Sequence, residues 1–213
     1  MYVPKHFSET RMDVLQAFIE RHAFATLVAM TREGLTANHL PLASRLSADG
    51  SGVLRGHIAR ANSLWRELED GAAVLAIFDG PHSYVSPSWY PSQHEHGKVV
   101  PTWNYATVHV SGHIRFIEDP DWLRELVTTL TDTYETGRPK RWHVSDAPSD
   151  YIEAMLQAIV GLEIEVTRVI GKFKGSQNRS LADRAGVAAA LCAEGRSPEE
   201  IAEIAPGAEP GSD

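Results

Sequence analysis

Residues 56–62, a short polar run with the sequence GHIARAN, are the first place where residue types and spacing could do chemistry. The run follows an apolar strand pattern and precedes a helical one. Arg60 offers a planar fork of hydrogen-bond donors, and His57 and Asn62 add further polar groups. Together with the backbone N–H groups at a helix start, these side chains predict an anion site suited to a phosphate group. The alternative is a solvated arginine followed by an asparagine helix cap.

A second run, residues 98–105, mixes flat and polar side chains. Its candidate binding residues are Lys98, Thr102, Trp103, Asn104 and Tyr105. The aromatic rings offer a stacking surface, while the hydroxyl and amide groups offer donors and acceptors. That mixture suits a planar heterocycle with polar edges. The alternative is ordinary core packing at the start of a strand.

A third run, residues 172–179, is the densest basic and polar stretch of the chain. It combines three cations with the hydrogen-bonding side chains of Ser176, Gln177 and Asn178. Because it directly follows a strand pattern, it could hold a phosphate or a ribityl chain. The alternative is a solvated loop.

Other chemistry finds little support in the spacing. His94-Glu95-His96 places two imidazoles two residues apart, but no third ligand follows at a characteristic distance, so no metal site is predicted. The chain has no glycine-rich phosphate loop and no nucleophile elbow. No catalytic residue is therefore assigned.

The elements that must position these runs are mostly short strands. About six strands joined by short turns are expected, among them a hairpin formed by residues 23–30 and 35–43. Residues 108–117 alternate between apolar and polar side chains and predict a half-buried strand. Residues 80–98, rich in proline, histidine and aromatic residues, predict a long functional loop. This pattern predicts a mainly β fold, a small antiparallel barrel with peripheral helices.

Helix boundaries are marked by capping residues. Ser8 is expected to cap a helix that runs to about His22. Asp119-Pro120 and Ser197-Pro198 each place a capping side chain before a first-turn proline. The helices near the C-terminus superficially resemble a helix-turn-helix, but Glu199, Glu200 and Glu203 are unsuited to facing phosphates, so a packing or partner surface is expected.

Composition bounds the class of protein. The 213 residues carry a net charge of −8, which argues against a protein held on DNA mainly by phosphate contacts. The single cysteine favours a reducing, cytoplasmic setting, and no apolar run is long enough to span a membrane. We expect a barrel with inserted helices over residues 1–180, a helical extension over 181–205 and a disordered tail over 206–213.

Several stretches together resemble one family, the PaiB family of FMN-binding negative transcriptional regulators. The resemblance spans residue 1 to about residue 191. It is carried by MYVPKHF at the start, residues 37–41 (ANHLP), 56–62, 80–90 (GPHSYVSPSWY), 95–105 and 172–180. The run from Tyr84 through Tyr105 is long and specific.

The resemblance implies an FMN-binding split β-barrel related to flavin reductases and pyridoxine phosphate oxidases, which pairs as a homodimer with flavin at the interface. It implies that Arg60 and Asn62 grip the phosphate and that residues 103–105 line the ring system. Ser176, Gln177 and Asn178 resemble the family's closing motif. Asn38 and His39 could face the flavin edge, and a buried, paired histidine is the alternative for His39.

Two positions depart from the family's pattern. The family usually continues Arg-Ala-Asn with proline, where this chain has Ser63. It usually has an apolar residue at the position of Gly175, and glycine there is expected to make the closing loop more flexible.

Three functions remain open from the sequence. The first is a flavin-binding negative regulator that acts through its flavin or a partner protein rather than by direct DNA contact. The second is an oxidoreductase in which FMN passes electrons between a nicotinamide and an acceptor. The third is haem binding, since a sister group of split barrels binds haem and this chain carries ten histidines.

Overall fold

The computed structural model describes residues 1–207. Its helices are α1 Met12–Arg21, α2 Leu64–Glu67, α3 Ser92–His96, α4 Pro120–Glu135, α5 Ser149–Gln157, α6 Leu181–Ala193 and α7 Pro198–Ile204. Its strands are β1 Ser8–Glu9, β2 Phe24–Thr31, β3 Gly34–Pro41, β4 Ala43–Leu46, β5 Gly52–Ala59, β6 Ala72–Val85, β7 Thr102–Ile117 and β8 Ile159–Lys174. Of the tail predicted over residues 206–213, only Pro206 and Gly207 lie within the described residues.

The strands are hydrogen-bonded in the order β3-β2-β6-β7-β8-β5-β4, and β1 pairs with β8. The pairs β1–β8, β2–β3, β2–β6, β4–β5 and β5–β8 are antiparallel. The structure therefore confirms a mainly antiparallel β fold with helices. The predicted hairpin is also confirmed, because β2 and β3 pair from Phe24–Pro41 to Thr31–Gly34 around a two-residue turn.

The chain divides into two compact units. Within the described part of the chain, the first unit comprises residues 1–18, 78–109 and 170–207, and the second comprises 19–77 and 110–169. The first unit has a core in which Tyr90 and Val85 pack with Val187, Leu191 and Ile204 of α6 and α7. The C-terminal helices thus pack on the unit's interior, as their apolar residues predict.

The second unit has a core of inward-facing strand residues. Leu27, Leu54, Ile114 and Leu162 are fully buried, because alternate residues of each strand point to one face of the sheet. A second apolar cluster of this unit forms where Leu123 of α4 packs with Ile152 and Leu156 of α5.

Two predicted boundaries are wrong. Ser8 does not cap α1, because Ser8 pairs with Lys172 of β8 and the Glu9 carboxylate instead accepts the N–H groups of Thr10 and Arg11. Part of the predicted loop 80–98 is strand, since β6 continues to Val85. Glycine and proline at positions 80 and 81 suggested a break that the pairing of a long strand overrides.

The other two helix starts are confirmed. The Asp119 carboxylate accepts the N–H of Trp122 at 2.8 Å, and Ser197 forms a reciprocal capping box with Glu200. Among residues 1–207, no helix has both the length and the apolar character needed to cross a lipid bilayer.

Candidate functional site

Two of the candidate runs meet in the first unit, where the end of β8 lies beside the start of β7. The Lys174 ammonium donates hydrogen bonds to the Thr102 hydroxyl and to the Trp103 carbonyl. The Lys172 ammonium lies 5.2 Å from the centroid of the Tyr105 ring. The sequence placed these runs about 70 residues apart, and strand pairing brings their side chains into contact.

Three cations of this region lie at the end of β8 and in the loop after it. Within the described part of the chain, no carboxylate forms an ion pair with Lys172, Lys174 or Arg179. Burial, together with the neighbouring charges of Lys172 and Arg179, lowers the pKa of Lys174 below its ordinary value. Three unneutralised cations favour binding of an anion.

Exposed aromatic rings lie on the same unit. Trp103 is 53% exposed, its ring centroid lies 5.5 Å from that of His82 and 6.2 Å from that of Tyr84, which is also exposed. Large flat side chains left open to solvent are suited to stacking on a planar ligand. We call Tyr84, Trp103, Tyr105, Lys172, Lys174 and Arg179 the basic–aromatic surface.

The closing motif shapes its own loop. The Asn104 side chain is fully buried and donates to the Ser176 hydroxyl at 3.0 Å. Ser176 is buried and has a φ of +63°. The side-chain amide of Gln177 accepts a hydrogen bond from the Gly175 N–H and donates one to the Phe173 carbonyl. Asn178 is exposed, and its side chain makes no hydrogen bond within residues 1–207. Within residues 1–207, Asn178 is therefore the one predicted closing residue whose side chain is left without a hydrogen-bond partner.

Gly175 is required by close packing rather than by flexibility. A Cβ at this position would overlap the ring of Pro206 and lie 2.9 Å from the Ile204 carbonyl oxygen. The expectation that glycine loosens the loop is wrong, because the segment after α7 packs directly against the backbone at this position.

Arg60, in the second unit, is held by internal partners. Its Nε donates to the Gln157 carbonyl at 2.7 Å and its Nη2 to the Ile159 carbonyl at 3.1 Å, while its Nη1 pairs with the Glu118 carboxylate. Its guanidinium also lies 5.6 Å from the Trp65 ring centroid. Arg60 thus joins the start of α2 to the segment between α5 and β8.

Asn38 and Asn62 are brought together in the second unit. The Asn62 amide donates to the Asn38 side chain at 2.7 Å, and its carbonyl oxygen accepts the N–H of Leu64. The second bond closes a turn before α2, whose N-cap residue is Ser63, so Asn62 is not itself the helix cap that the sequence offered as an alternative. His39 is exposed rather than buried, and its Nδ1 lies 3.1 Å from the Thr26 hydroxyl.

His57 lies half-buried on β5, opposite Gly161 of β8. Burial lowers the pKa of His57 below its ordinary value of 6.5, so the ring is neutral at pH 7. Its Nδ1 is buried without a hydrogen-bond partner in the part of the chain that the structure describes.

Lys98 is exposed just after α3, and its backbone N–H donates to the His96 ring. Within residues 1–207, no three His, Cys, Asp or Glu side chains gather as a metal site would. Sequence reasoning left two classes of residue out of the site. His82 and Tyr84 were read as part of a loop, and no local signal pointed to Glu118 as the partner of Arg60.

Residues 1–168 match the model of the family described as "Putative FMN-binding domain". The chain is 36% identical over 185 residues to the protease synthase and sporulation protein PAI 2 of Bacillus subtilis, covering 86% of this chain and 85% of that protein.

Solved structures show the same fold. An FAD and haem binding protein from Mycobacterium smegmatis is similar with a TM-score of 0.58 and 18% identity, over 79% of this chain and 73% of that one. The flavocytochrome Anf3 from Azotobacter vinelandii is similar with a TM-score of 0.59 and 13% identity, over 81% and 72%. The predicted fold class, a split β-barrel with peripheral helices, is confirmed.

Proposed function

The chain belongs to the family of FMN-binding domains, and from this premise we propose that the basic–aromatic surface holds the flavin. FMN is the cofactor of this split-barrel protein. The residues present fit it, since ammonium and guanidinium groups suit its phosphate and exposed rings suit its isoalloxazine. The observation that supports this proposal is the cluster of three cations, which have no acidic partner within residues 1–207, beside an exposed tryptophan. When bound, FMN supplies one- and two-electron redox chemistry.

Each part of the surface has a separate role in this proposal. Lys172, Lys174 and Arg179 bind the phosphate. Trp103 and Tyr105 contact the ring system, and the Asn178 amide bonds a polar edge or the ribityl chain. Asn104 and Ser176 act through the loop that they fix. In the second unit, the residues that stay predicted flavin contacts are Arg60, Asn62, Asn38, His39 and His57.

The titration of FMN into purified protein tests the surface. Quenching of flavin fluorescence should saturate at about one FMN per chain, and Lys172→Gln should weaken binding. Arg32→Gln is the matched control. It also removes one positive charge, but from a side chain of the second unit that is 88% exposed. Equal affinities for these two variants would overturn the assignment of the surface.

We further propose that the flavoprotein is a negative regulator of transcription that acts through its flavin state or a partner protein. The resemblance to the PaiB family supports the regulatory role. The net charge of −8 and the exposed Glu199 at the start of α7 support an indirect action, because both disfavour phosphate contacts.

Two assays separate the alternatives. Flavin-loaded protein should not shift a promoter fragment tightly in a gel, and it should bind NAD(P)H without sustained turnover. Tight, salt-sensitive binding to DNA would contradict indirect action. Steady NAD(P)H oxidation would support an oxidoreductase instead.

We propose a homodimer with flavin at its interface. An apolar sheet face in the second unit supports it: Phe24, Met30 and Leu35 are 69%, 62% and 73% exposed, and Met30 lies opposite Leu35 across β2 and β3. Leu35→Glu should yield monomers in sedimentation velocity, whereas Tyr151→Glu, at an exposed aromatic residue of α5, should not. A dimer that survives the first change would place the interface elsewhere.

The chain has one cysteine, Cys192, and it is exposed and free. An exposed free thiol persists in a reducing compartment. We therefore propose a cytoplasmic location, which fractionation of cells expressing the protein checks.

A further inference from the structure

The second unit contains a cleft that none of the flavin candidates lines. It lies between the β4–β5 pair and α4 and has a volume of about 120 Å³. Its apolar wall is formed by Ala43, Val53, Trp122 and Leu126. Cavities of roughly this size hold a benzene-sized group.

Two arginines line the same cleft. Ala43 lies opposite Arg55, and Arg45 lies opposite Val53, in the antiparallel β4–β5 register. Because residues directly opposite in such a pair share a face of the sheet, both guanidinium groups belong to the cleft face. Neither position is a candidate from the sequence runs.

Arg55 is oriented by a buried acid. Its Nε donates to Glu163 at 2.7 Å, and Glu163, which is 6% exposed, also accepts from Arg115 at 2.6 Å. The Glu163 carboxylate is therefore shared between two arginines. The terminal nitrogens of Arg55 donate to no residue in 1–207, and Arg45 forms no ion pair there.

The ring of Trp122 completes the site. The Arg55 guanidinium lies 5.6 Å from the centroid of this ring, so a flat apolar wall stands next to fixed donors. Glu125 also lines the cleft and disfavours a second negative charge on the ligand.

We propose that this cleft binds a small monoanionic arylcarboxylate. The carboxylate accepts hydrogen bonds from the free nitrogens of Arg55 and from Arg45, and the ring packs against Trp122 and Leu126. The proposal does not rest on the flavin assignment, because it uses residues of the second unit alone.

Benzoate is the probe, and calorimetric titration of the FMN-saturated protein measures its binding. Arg55→Gln should weaken benzoate binding by about tenfold, the loss expected for a charge-assisted hydrogen bond. Arg115→Gln is the matched control, because Arg115 also pairs with Glu163 but does not line the cleft. It should leave benzoate affinity within about twofold of wild type.

A further variant tests the second arginine. Arg45→Gln removes an exposed side chain that forms no ion pair within residues 1–207, so it should weaken benzoate binding while the protein stays folded. The proposal is overturned if the Arg55 and Arg115 variants lose affinity equally, or if the wild type binds no benzoate.

Discussion

Arg55, Arg60 and Arg115 of the second unit have acidic partners, whereas the cations of the basic–aromatic surface in the first unit have none within residues 1–207. Arg55 and Arg115 share the buried Glu163, and Arg60 pairs with Glu118. In contrast, Lys172 and Arg179 lie close enough to Lys174 to affect its charge, and none of the three forms an ion pair with a carboxylate of residues 1–207. A paired arginine stabilises the protein itself, whereas an unpaired cluster has its charge available for a ligand.

The contrast matters because the sequence presents the two regions alike. Both are short polar runs at a strand end, and both suit a phosphate. Only the structure shows that three donors of Arg60 already bond internal acceptors.

Arg60→Ala should have the largest effect on stability. It removes two bonds to backbone carbonyls and the pair with Glu118, so we expect a loss of about 2–4 kcal/mol in the free energy of unfolding. Urea denaturation measures it. Arg66→Ala, at an exposed neighbour whose side chain donates one hydrogen bond within residues 1–207, to the Arg60 carbonyl, and lies over the Trp65 ring, should cost less than about 1 kcal/mol.

The same variant tests the predicted phosphate grip. If FMN binds folded Arg60→Ala as tightly as wild type, Arg60 does not contact the flavin and serves the fold alone.

Lys172→Gln and Arg179→Gln should show the opposite pattern. Each should weaken FMN binding by about tenfold, yet leave the unfolding free energy unchanged or slightly higher, since each removes a like-charge repulsion. Paired FMN titrations and urea melts distinguish affinity from stability. If these variants lost unfolding free energy but kept their FMN affinity, Lys172 and Arg179 would serve the fold and would not bind the flavin.

Acid should weaken the second unit through Glu163. Burial raises the pKa of this carboxyl, but hydrogen bonds from Arg115 and Arg55 outweigh burial and hold it below its ordinary 4.5. The folded state then binds fewer protons than the unfolded state, so stability present above pH 4.5 is lost as pH falls toward the folded pKa. Urea melts across this pH range should show that the free energy of unfolding falls less steeply with decreasing pH in Glu163→Gln than in wild type.

Alkali should act through Lys174, with the smallest effect. Burial first, and then Lys172 and Arg179, lower its pKa, so the unfolded state holds the proton up to a higher pH than the folded state. Stability of the flavin-free protein should therefore rise with pH between the folded pKa and about 10.5. The free energy of unfolding of Lys174→Met, measured by urea melts, should not rise over this pH range. An equal rise in that variant would show that another group causes it.

Local patterns predicted much of the fold. The hairpin of β2 and β3, the cap at Asp119 and the capping box at Ser197 depend on neighbours in sequence, and all three are confirmed. The start of α1 was wrong because Ser8 pairs with a strand 164 residues later in the chain. Non-local pairing of this kind leaves no mark in the local pattern.

The site was predicted as residue types rather than as contacts. The runs 98–105 and 172–179 proved to be neighbours in the first unit, as the bond between Asn104 and Ser176 shows. The sequence did not show which of these side chains point inward. Ser176 and Gln177 bond Asn104 and their own loop, whereas the Asn178 side chain has no hydrogen-bond partner within residues 1–207.

The contact between Gly175 and Pro206 couples the closing loop to the segment that follows α7. A Cβ at position 175 would overlap the proline ring, so in this arrangement the space beside the loop is filled by the chain itself. A side chain at position 175 therefore requires Pro206 and the end of α7 to move, which makes this one position a handle on how the C-terminal helices attach to the strands.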